Sequence, residues 1–172
     1  MRSSVGAAIV VAIAMVCTGV TGKAQTGGSH SELKEAIVNQ HVTGHFDVKV
    51  LPQPAEDAGG AGIGRMLLDK QFHGALEATS KGQMLAFGTG AKGSSGAYVA
   101  MEVVSGALGG RKGTFVLMHS ATMARGEATL NITVVPDSGT DGLVGLTGKM
   151  NILMVNGRHS YEFDYTLPAA QP

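Results

Sequence analysis

The sequence predicts an all-β protein, a closed antiparallel barrel of about eight strands. Apolar and polar residues alternate along a series of short segments, which is the pattern of half-buried strands. Turn-forming stretches rich in Gly, Pro, Asn and Asp separate most of these segments, and no convincing helix lies between them. Glycines also recur inside the strands, as expected where a barrel wall bends. Closure removes the exposed edges of a sheet, so we favour a barrel over a two-sheet sandwich.

Residues 1–24 have the features of a secretory signal peptide. A basic start precedes the apolar run AAIVVAIAMV, and small residues follow, with Gly22 and Ala24 at −3 and −1 of a cleavage site. The run is shorter than the ~20 residues of a membrane-spanning helix. The alternative is a lipoprotein anchored through Cys17, but the residues before this cysteine match that motif poorly. We therefore expect a secreted or periplasmic protein without a stable membrane anchor after cleavage.

Cleavage would change the charge and the cysteine content. The chain has 13 basic and 13 acidic residues, and loss of Arg2 and Lys23 leaves 11 against 13, a formal charge of −2. This balance argues against nucleic acid as a partner, because such proteins carry a concentrated basic surface. The single cysteine, Cys17, is also lost, so the mature domain must be stable through its core alone.

The next segment, residues 25–40, is predicted to be an N-terminal arm or a short helix. Ser29 and Glu32 have the spacing of a capping box, whereas the Gly- and Ser-rich start suits a frayed arm. The β-barrel domain is predicted over residues 41–168. Its first strand lies in HVTGHFDVKV, and the others lie, in order, in GIGRMLLDKQF, ALEATSK, QMLAFGT, AYVAMEVVSGAL, GTFVLMHSATM, EATLNITVV, LTGKMNILMV and RHSYEFDYTL.

The stretch GLVGLTGKM resembles a phosphate-binding loop but lacks the features such a loop needs. Five residues separate Gly142 from Gly148 instead of four, and Met150 stands where a hydroxyl would meet magnesium. A strand follows instead of a helix. The pair Asn156-Gly157 then predicts a tight hairpin before the last strand. The glycines are predicted to shape turns, not to bind phosphate.

The first strand contains His41, His45 and Asp47, which suggest a metal site only at first sight. On a strand, residues four apart are ~13 Å from each other, too far for one ion to bridge. His45 and Asp47 lack an evident third ligand. We predict that these side chains lie on the solvated outer face, and we expect no metal and no cofactor.

Two charged or ionisable residues interrupt apolar strands. Glu102 is in phase with Tyr98, and His119 is in phase with Phe115. If both point inward, they form a candidate catalytic acid–base pair in a desolvated interior. The alternatives are a hydrogen-bonded structural pair or side chains on the outer wall, because the strand phase is ambiguous here.

The last strand places polar tips on an apolar face. His159 and Tyr161 share that face with Phe163 and Leu167, as in a pocket lining, although a plain core has the same pattern. Lys70 is in phase with apolar neighbours and is either a buried cation or a strand-end residue. The ligand-binding candidates are Arg65, Lys70, Tyr98, Glu102, His119, His159 and Tyr161.

The stretches AYVAMEVVSGALGGRKGTFVLMHSATM, VVPDSGTDGLVGLTGKMNI and GRHSYEFDYTL resemble the domain-of-unknown-function 3224 family, whose members are mostly bacterial. Asp137 and Asp141 stand where that pattern leads us to expect glycine, a change that should affect the turn and not the fold. The resemblance implies a closed eight-stranded barrel similar to plant allene oxide cyclase, with an interior cavity. It does not imply cyclase activity, because no cyclase motif can be matched here.

These observations predict an exported barrel that binds a small apolar or lipid-like molecule in its interior. One alternative is an isomerase- or cyclase-type enzyme in which Glu102 and His119 act on a lipid-like substrate. Another is a structural barrel that forms a homo-oligomer, which an exposed apolar outer face would favour.

Overall fold

Eight antiparallel strands close into a barrel in which each strand pairs with its neighbours in the chain and the last pairs with the first. The computed structural model describes residues 37–54, 62–88 and 93–169. A 3-10 turn, Asp141–Leu143, lies between the sixth and seventh strands. The strands are β1 (Ile37–Pro52), β2 (Ile63–Gly74), β3 (Leu76–Gly88), β4 (Gly96–Leu108), β5 (Arg111–Ala124), β6 (Glu127–Val134), β7 (Thr147–Val155) and β8 (Arg158–Pro168).

The predicted fold class is confirmed, with two differences in strand boundaries. β1 begins at Ile37, four residues before the predicted start of the barrel domain. The segments ALEATSK and QMLAFGT form one continuous strand, β3, because pairing with β2 and β4 runs through Gly82 without a break. The signal peptide and most of the predicted arm lie outside the described residues and stay predictions. Within the residues that the structure describes, no helix is long and apolar enough to cross a membrane.

One end of the barrel is filled by aromatic rings, and we call it the packed end. Phe72, Phe115 and Phe163 are almost completely buried. The rings of Phe115 and Phe163 stack with their centroids 6.0 Å apart. Leu143 from the 3-10 turn and Leu146 after it are buried in the same cluster, so the connection between β6 and β7 covers this end. The glycine-rich stretch thus serves the core, as the sequence argument against a phosphate loop expects.

The same connection shows why glycine is expected at two of its positions. Asp137 and Asp141 have positive φ angles, 58° and 50°, a left-handed conformation in which glycine is favoured and aspartate is tolerated. The hydroxyl of Thr140 donates a hydrogen bond to the Asp141 carboxylate at 3.0 Å. Both aspartates therefore have a backbone conformation that glycine adopts readily, which agrees with the expectation that the change affects the turn and not the fold.

The hydroxyl of Tyr161 ties β8 to the turn between β2 and β3. It accepts a hydrogen bond from the backbone N–H of Leu76 at 3.0 Å and donates one to the carbonyl of His73 at 3.2 Å. Gly44 of β1 makes room for the ring, since a Cβ there would collide with the Tyr161 hydroxyl. Both hydrogen-bonding roles of this hydroxyl are thus used within the fold.

Replacement of Tyr161 by Phe should destabilise the barrel, because the buried N–H of Leu76 then loses its partner. We expect Tyr161→Phe to lower the free energy of unfolding by about 1–3 kcal/mol, measured by urea denaturation. Tyr98→Phe is the matched control, since the Tyr98 hydroxyl bonds to none of the described residues; its effect should stay within about 0.5 kcal/mol. Equal losses in the two variants would contradict this role of Tyr161.

Candidate functional site

Four buried polar side chains meet inside the barrel, one from each of four successive strands. They are Lys70 on β2, Ser80 on β3, Glu102 on β4 and His119 on β5, and each is at most 6% exposed. We call these four residues the interior polar cluster. The structure therefore brings together three of the predicted site residues and adds Ser80.

Glu102 is the centre of the interior polar cluster. Its Oε1 atom accepts hydrogen bonds from Lys70 Nζ at 2.7 Å and from His119 Nε2 at 2.9 Å. Its Oε2 atom accepts one from the Ser80 hydroxyl at 2.6 Å. Since an ionised carboxylate only accepts hydrogen bonds, the Nε2 atom of His119 must carry the hydrogen. Among the described residues, no buried side-chain nitrogen or oxygen lacks a partner.

The register of the sheet explains how a carboxylate fits between two close strands. Gly82 of β3 lies directly opposite Glu102 of β4. A Cβ at Gly82 would lie 2.6 Å from the Cβ of Glu102, a distance at which one strand has to move. The missing side chain at Gly82 therefore provides the space in which Glu102 turns inward.

Lys70 reaches Glu102 from β2 between two aromatic rings. Its Nζ atom lies 5.1 Å from the ring centroid of Phe46 and 5.7 Å from that of Phe72. Such contacts favour the charged ammonium group through the ring quadrupole. The interior thus contains an ammonium–carboxylate pair that aromatic faces support, not an isolated charge.

The pKa of Glu102 is set by opposing effects. Burial raises it, but the hydrogen bond from His119 and the charge of Lys70 outweigh burial and lower the pKa from 4.5 to about 2. Glu102 is therefore ionised at neutral pH. Three hydrogen bonds and a low pKa make it a poor proton acceptor, so its main chemical effects are to hold Lys70 and to orient His119.

A cavity of about 820 Å³ opens at the end of the barrel opposite the packed end. Its inward-facing wall carries mostly small residues, which leave space where the packed end has aromatic rings. Tyr98 contributes the one aromatic hydroxyl of the described lining, and burial raises its pKa. The inward-facing lining residues are Met66, Ala86, Gly88, Gly96, Tyr98, Ala121, Met123, Ala128 and Leu130.

The interior polar cluster lies directly below this lining. His119 is the next inward residue of β5 after Ala121, and Glu102 follows Tyr98 by two inward positions on β4. The Nδ1 atom of His119 bonds to no described residue. His119 is 2% exposed and is not among the residues that line the cavity, so its ring lies beneath the lining at Ala121.

The other predicted site residues lie apart from the interior polar cluster. Tyr161 is inward but is fully engaged with the β2–β3 turn. His159 stacks on Phe46 with the ring centroids 5.1 Å apart, outside the described cavity lining. Arg65 points to the outer wall, where its guanidinium lies 3.5 Å from the side-chain oxygen of Gln83. The structure therefore separates Arg65 from the cavity interior.

The histidines and aspartate of the first strand lie on or near the outer surface. His41 and Asp164 form an exposed pair with Nδ1 and Oδ1 2.6 Å apart, and the hydrogen bond to Asp164 raises the pKa of His41. His45 stacks on His73 with the ring centroids 5.0 Å apart. In the part of the chain that the structure describes, no group of three or more His, Cys, Asp or Glu side chains is arranged to hold a metal ion.

Sequence reasoning missed Ser80, although a signal for it exists. Ser80 is in phase with Leu76 and Ala78, both buried, so a polar residue interrupts an apolar face there just as Glu102 does on β4. All three residues lie within the predicted segment ALEATSK, so the alternation that identifies Ser80 is present in the sequence.

Replacement of Glu102 by Gln should leave Lys70 buried without an opposite charge. We expect Glu102→Gln to lower the free energy of unfolding at neutral pH by about 3–5 kcal/mol. The double variant Lys70→Met/Glu102→Gln should recover much of this loss, because both charges are gone. Urea denaturation of the three proteins measures the difference, and a double variant no more stable than the single one would contradict a stabilising charge pair.

Glu102→Gln also tests how the stability contributed by Glu102 depends on pH. The folded-state pKa of Glu102 lies below its unfolded value, so the stabilisation is complete above about pH 4.5 and is lost as the pH falls through about 2. The wild type should therefore lose stability in this window by more than Glu102→Gln does. Parallel pH profiles would mean that Glu102 is not the group responsible.

Comparisons with known proteins agree with this architecture. The chain is similar to a crystallised protein of unknown function from the DUF3224 family of Shewanella oneidensis MR-1, with 48% sequence identity and a TM-score of 0.70. The match covers 77% of this chain and 100% of that one. No curated protein shows a significant match. The family model described as a protein of unknown function (DUF3224) matches residues 42–165, and the chain therefore belongs to the DUF3224 family.

Proposed function

We propose that the barrel binds a small, largely apolar molecule in the cavity at its open end. The observation that carries this proposal is the cavity itself, about 820 Å³ in volume and lined mainly by alanine, glycine, methionine and leucine. Known ligand sites have volumes of about 300–1,000 Å³, mostly apolar walls and a few oriented polar groups. The size and lining of this cavity fit that description.

Two polar atoms are placed to orient such a molecule. The hydroxyl of Tyr98 lies in the cavity wall and bonds to none of the described residues. The second is the Nδ1 atom of His119, which lies one inward position deeper on β5 than the lining residue Ala121, and Glu102 fixes the ring from its other side. A ligand with one polar end and an apolar body would satisfy both the wall and these atoms, as expected of a lipid-like molecule.

An isomerase- or cyclase-type enzyme is the second candidate, favoured by the contact between His119 and Glu102. A base oriented by a carboxylate is a recurring catalytic arrangement. In this arrangement Glu102 would act on the position of His119, because its low pKa makes it a weak base. Binding needs fewer assumptions, so it is the function that we put first.

The first experiment identifies the bound molecule. We expect protein recovered after expression of the complete chain to release one stoichiometric apolar compound on denaturation, detected by mass spectrometry of the organic extract. An empty extract from both a laboratory host and the native organism would contradict ligand binding. Two isomeric compounds from the wild type, with only one from His119→Asn, would favour the enzyme.

A matched pair of substitutions tests whether the compound occupies the cavity. Ala121→Phe places a ring in the cavity wall and should weaken binding of the recovered compound about tenfold or more. Ala107→Phe is the control, because Ala107 faces outward on β4 opposite the exposed residues Glu77 and Lys112. Equal retention of the compound by both variants would place it elsewhere.

We also propose that the protein is exported. The order of basic, apolar and small residues in 1–24 supports this. Expression of the complete chain in a bacterial host should therefore yield protein in the periplasm or the medium that begins at Gln25, as measured by its intact mass. Protein that remains in the cytoplasm with residues 1–24 attached would contradict export.

A further inference from the structure

The outer surface of β4 has an unusual distribution of charge and apolar residues. Its inward face contains the ionised Glu102, whereas Val99, Met101 and Val103 point outward and are exposed. In an isolated barrel in water, the outward face of a strand is expected to be mostly polar. The outward apolar residues of β4 therefore require a separate explanation.

The exposed apolar residues of β4 belong to a larger surface that extends over neighbouring strands. Pairing places Leu85 of β3 opposite Val99, and Met118 of β5 opposite Met101. Each member of this surface is between 44% and 60% exposed. We call it the outer apolar face, formed by Ile63, Leu85, Phe87, Val99, Met101, Val103 and Met118.

The area of the outer apolar face is large for a monomer. With a total surface on the order of 200 Å² for a large apolar residue, the exposed parts of these seven side chains amount to roughly 700 Å². The largest apolar patch on a typical monomer is about 300–600 Å². A standard protein–protein interface buries about 800 Å² on each partner, so this face has the size that a stable dimer needs.

The composition of this surface is that of an interface centre with a polar border. Its outward positions on β4 and β5 carry no charged residue between Ala97 and Val103 or between Val116 and Thr122. Charged residues lie beside it on β2 and β3: Arg65 is opposite Leu85, and Lys81, which is opposite Val103, forms an ion pair with Asp69. Protein interfaces have this anatomy, with an uncharged centre rich in methionine and aromatic residues and a polar rim.

The shape of the surface supports contact with an identical surface. A groove of about 430 Å³ runs along it between Leu85, Phe87 and Val99, and the exposed side chains of Met101 and Met118 lie beside this groove. Methionine adapts readily to irregular gaps. In a twofold pair, the methionines of one copy can enter the groove of the other, and the same contact is then made twice.

We infer that a second copy of this chain packs on the outer apolar face. A closed barrel has no free strand edge, so the two copies associate through their walls and not by strand pairing. A lipid surface is the less suitable occupant, because membrane-binding faces carry basic residues that are available to lipid head groups. The basic residues beside this surface are already engaged, Arg65 with Gln83 and Lys81 with Asp69. This inference is independent of the proposed ligand.

Sedimentation velocity over a dilution series of the protein recovered after expression of the complete chain tests the inference. We expect the wild type to associate reversibly, and Met101→Glu and Met118→Lys to raise the dissociation constant by about tenfold or more. Leu153→Glu is the control, since Leu153 is exposed on β7 outside this surface; it should associate like the wild type. Circular dichroism checks that each variant is folded.

Three results would overturn the inference. One is a wild type that stays monomeric at every concentration. Another is association that neither Met101→Glu nor Met118→Lys weakens while both are folded. The third is a monomer that sediments with vesicles of phosphatidylglycerol and phosphatidylethanolamine and is released by Met101→Glu, which would make the surface a lipid-binding face. The compound extracted from Met101→Glu should match that from the wild type, so failure here leaves the cavity proposal separately testable.

Discussion

The buried carboxylate of Glu102 imposes the strictest requirement on this barrel. A charge inside a protein is tolerated only when it is paired and hydrogen-bonded, and its partners come from three other strands: Lys70 from β2, Ser80 from β3 and His119 from β5. A shift of any of these strands by one residue would turn its side chain to the outer wall. The interior polar cluster therefore fixes the register of the four strands β2 to β5. Apolar packing alone specifies that register less strictly, because one apolar side chain can replace another.

The interior polar cluster also lies where the filling of the barrel changes. Towards the packed end, Phe115 and Phe163 stack and Leu143 covers the opening. Towards the open end, the small side chains of Ala86 and Ala121 do not fill the interior, which leaves room for the cavity. Burial of apolar residues stabilises the packed end. The hydrogen bonds of the interior polar cluster connect the strands in the middle of the barrel, next to the open cavity. A pocket needs such a frame, because its own walls contribute little packing.

Alternation of residue types predicts the all-β class and most of the strands, and the need to remove sheet edges predicts closure, but the continuity of β3 and the full site do not follow from the sequence. On β8 the inward face that contains Tyr161 is clear, since the opposite face is polar. On β4 neither side is polar: Glu102 stands on one and Met101 on the other, so the usual rule fails where the outer wall is also apolar. Ser80 could not be linked to Glu102 from sequence, because their meeting depends on the register across Gly82. The cavity likewise arises from small side chains that the barrel brings together from separate strands.

The pairing of β1 with β8 has a consequence for how the chain folds. Ile37 lies opposite Pro168, so the seam that closes the barrel joins residues from the two extremes of the domain. Contacts of such long sequence separation form slowly, and the seam cannot form until the whole of β8 is available. Until the seam forms, both seam strands keep unpaired backbone groups, which can pair with other chains. The longer β1 remains unpaired before β8 is available, the greater is the chance that the folding chain aggregates.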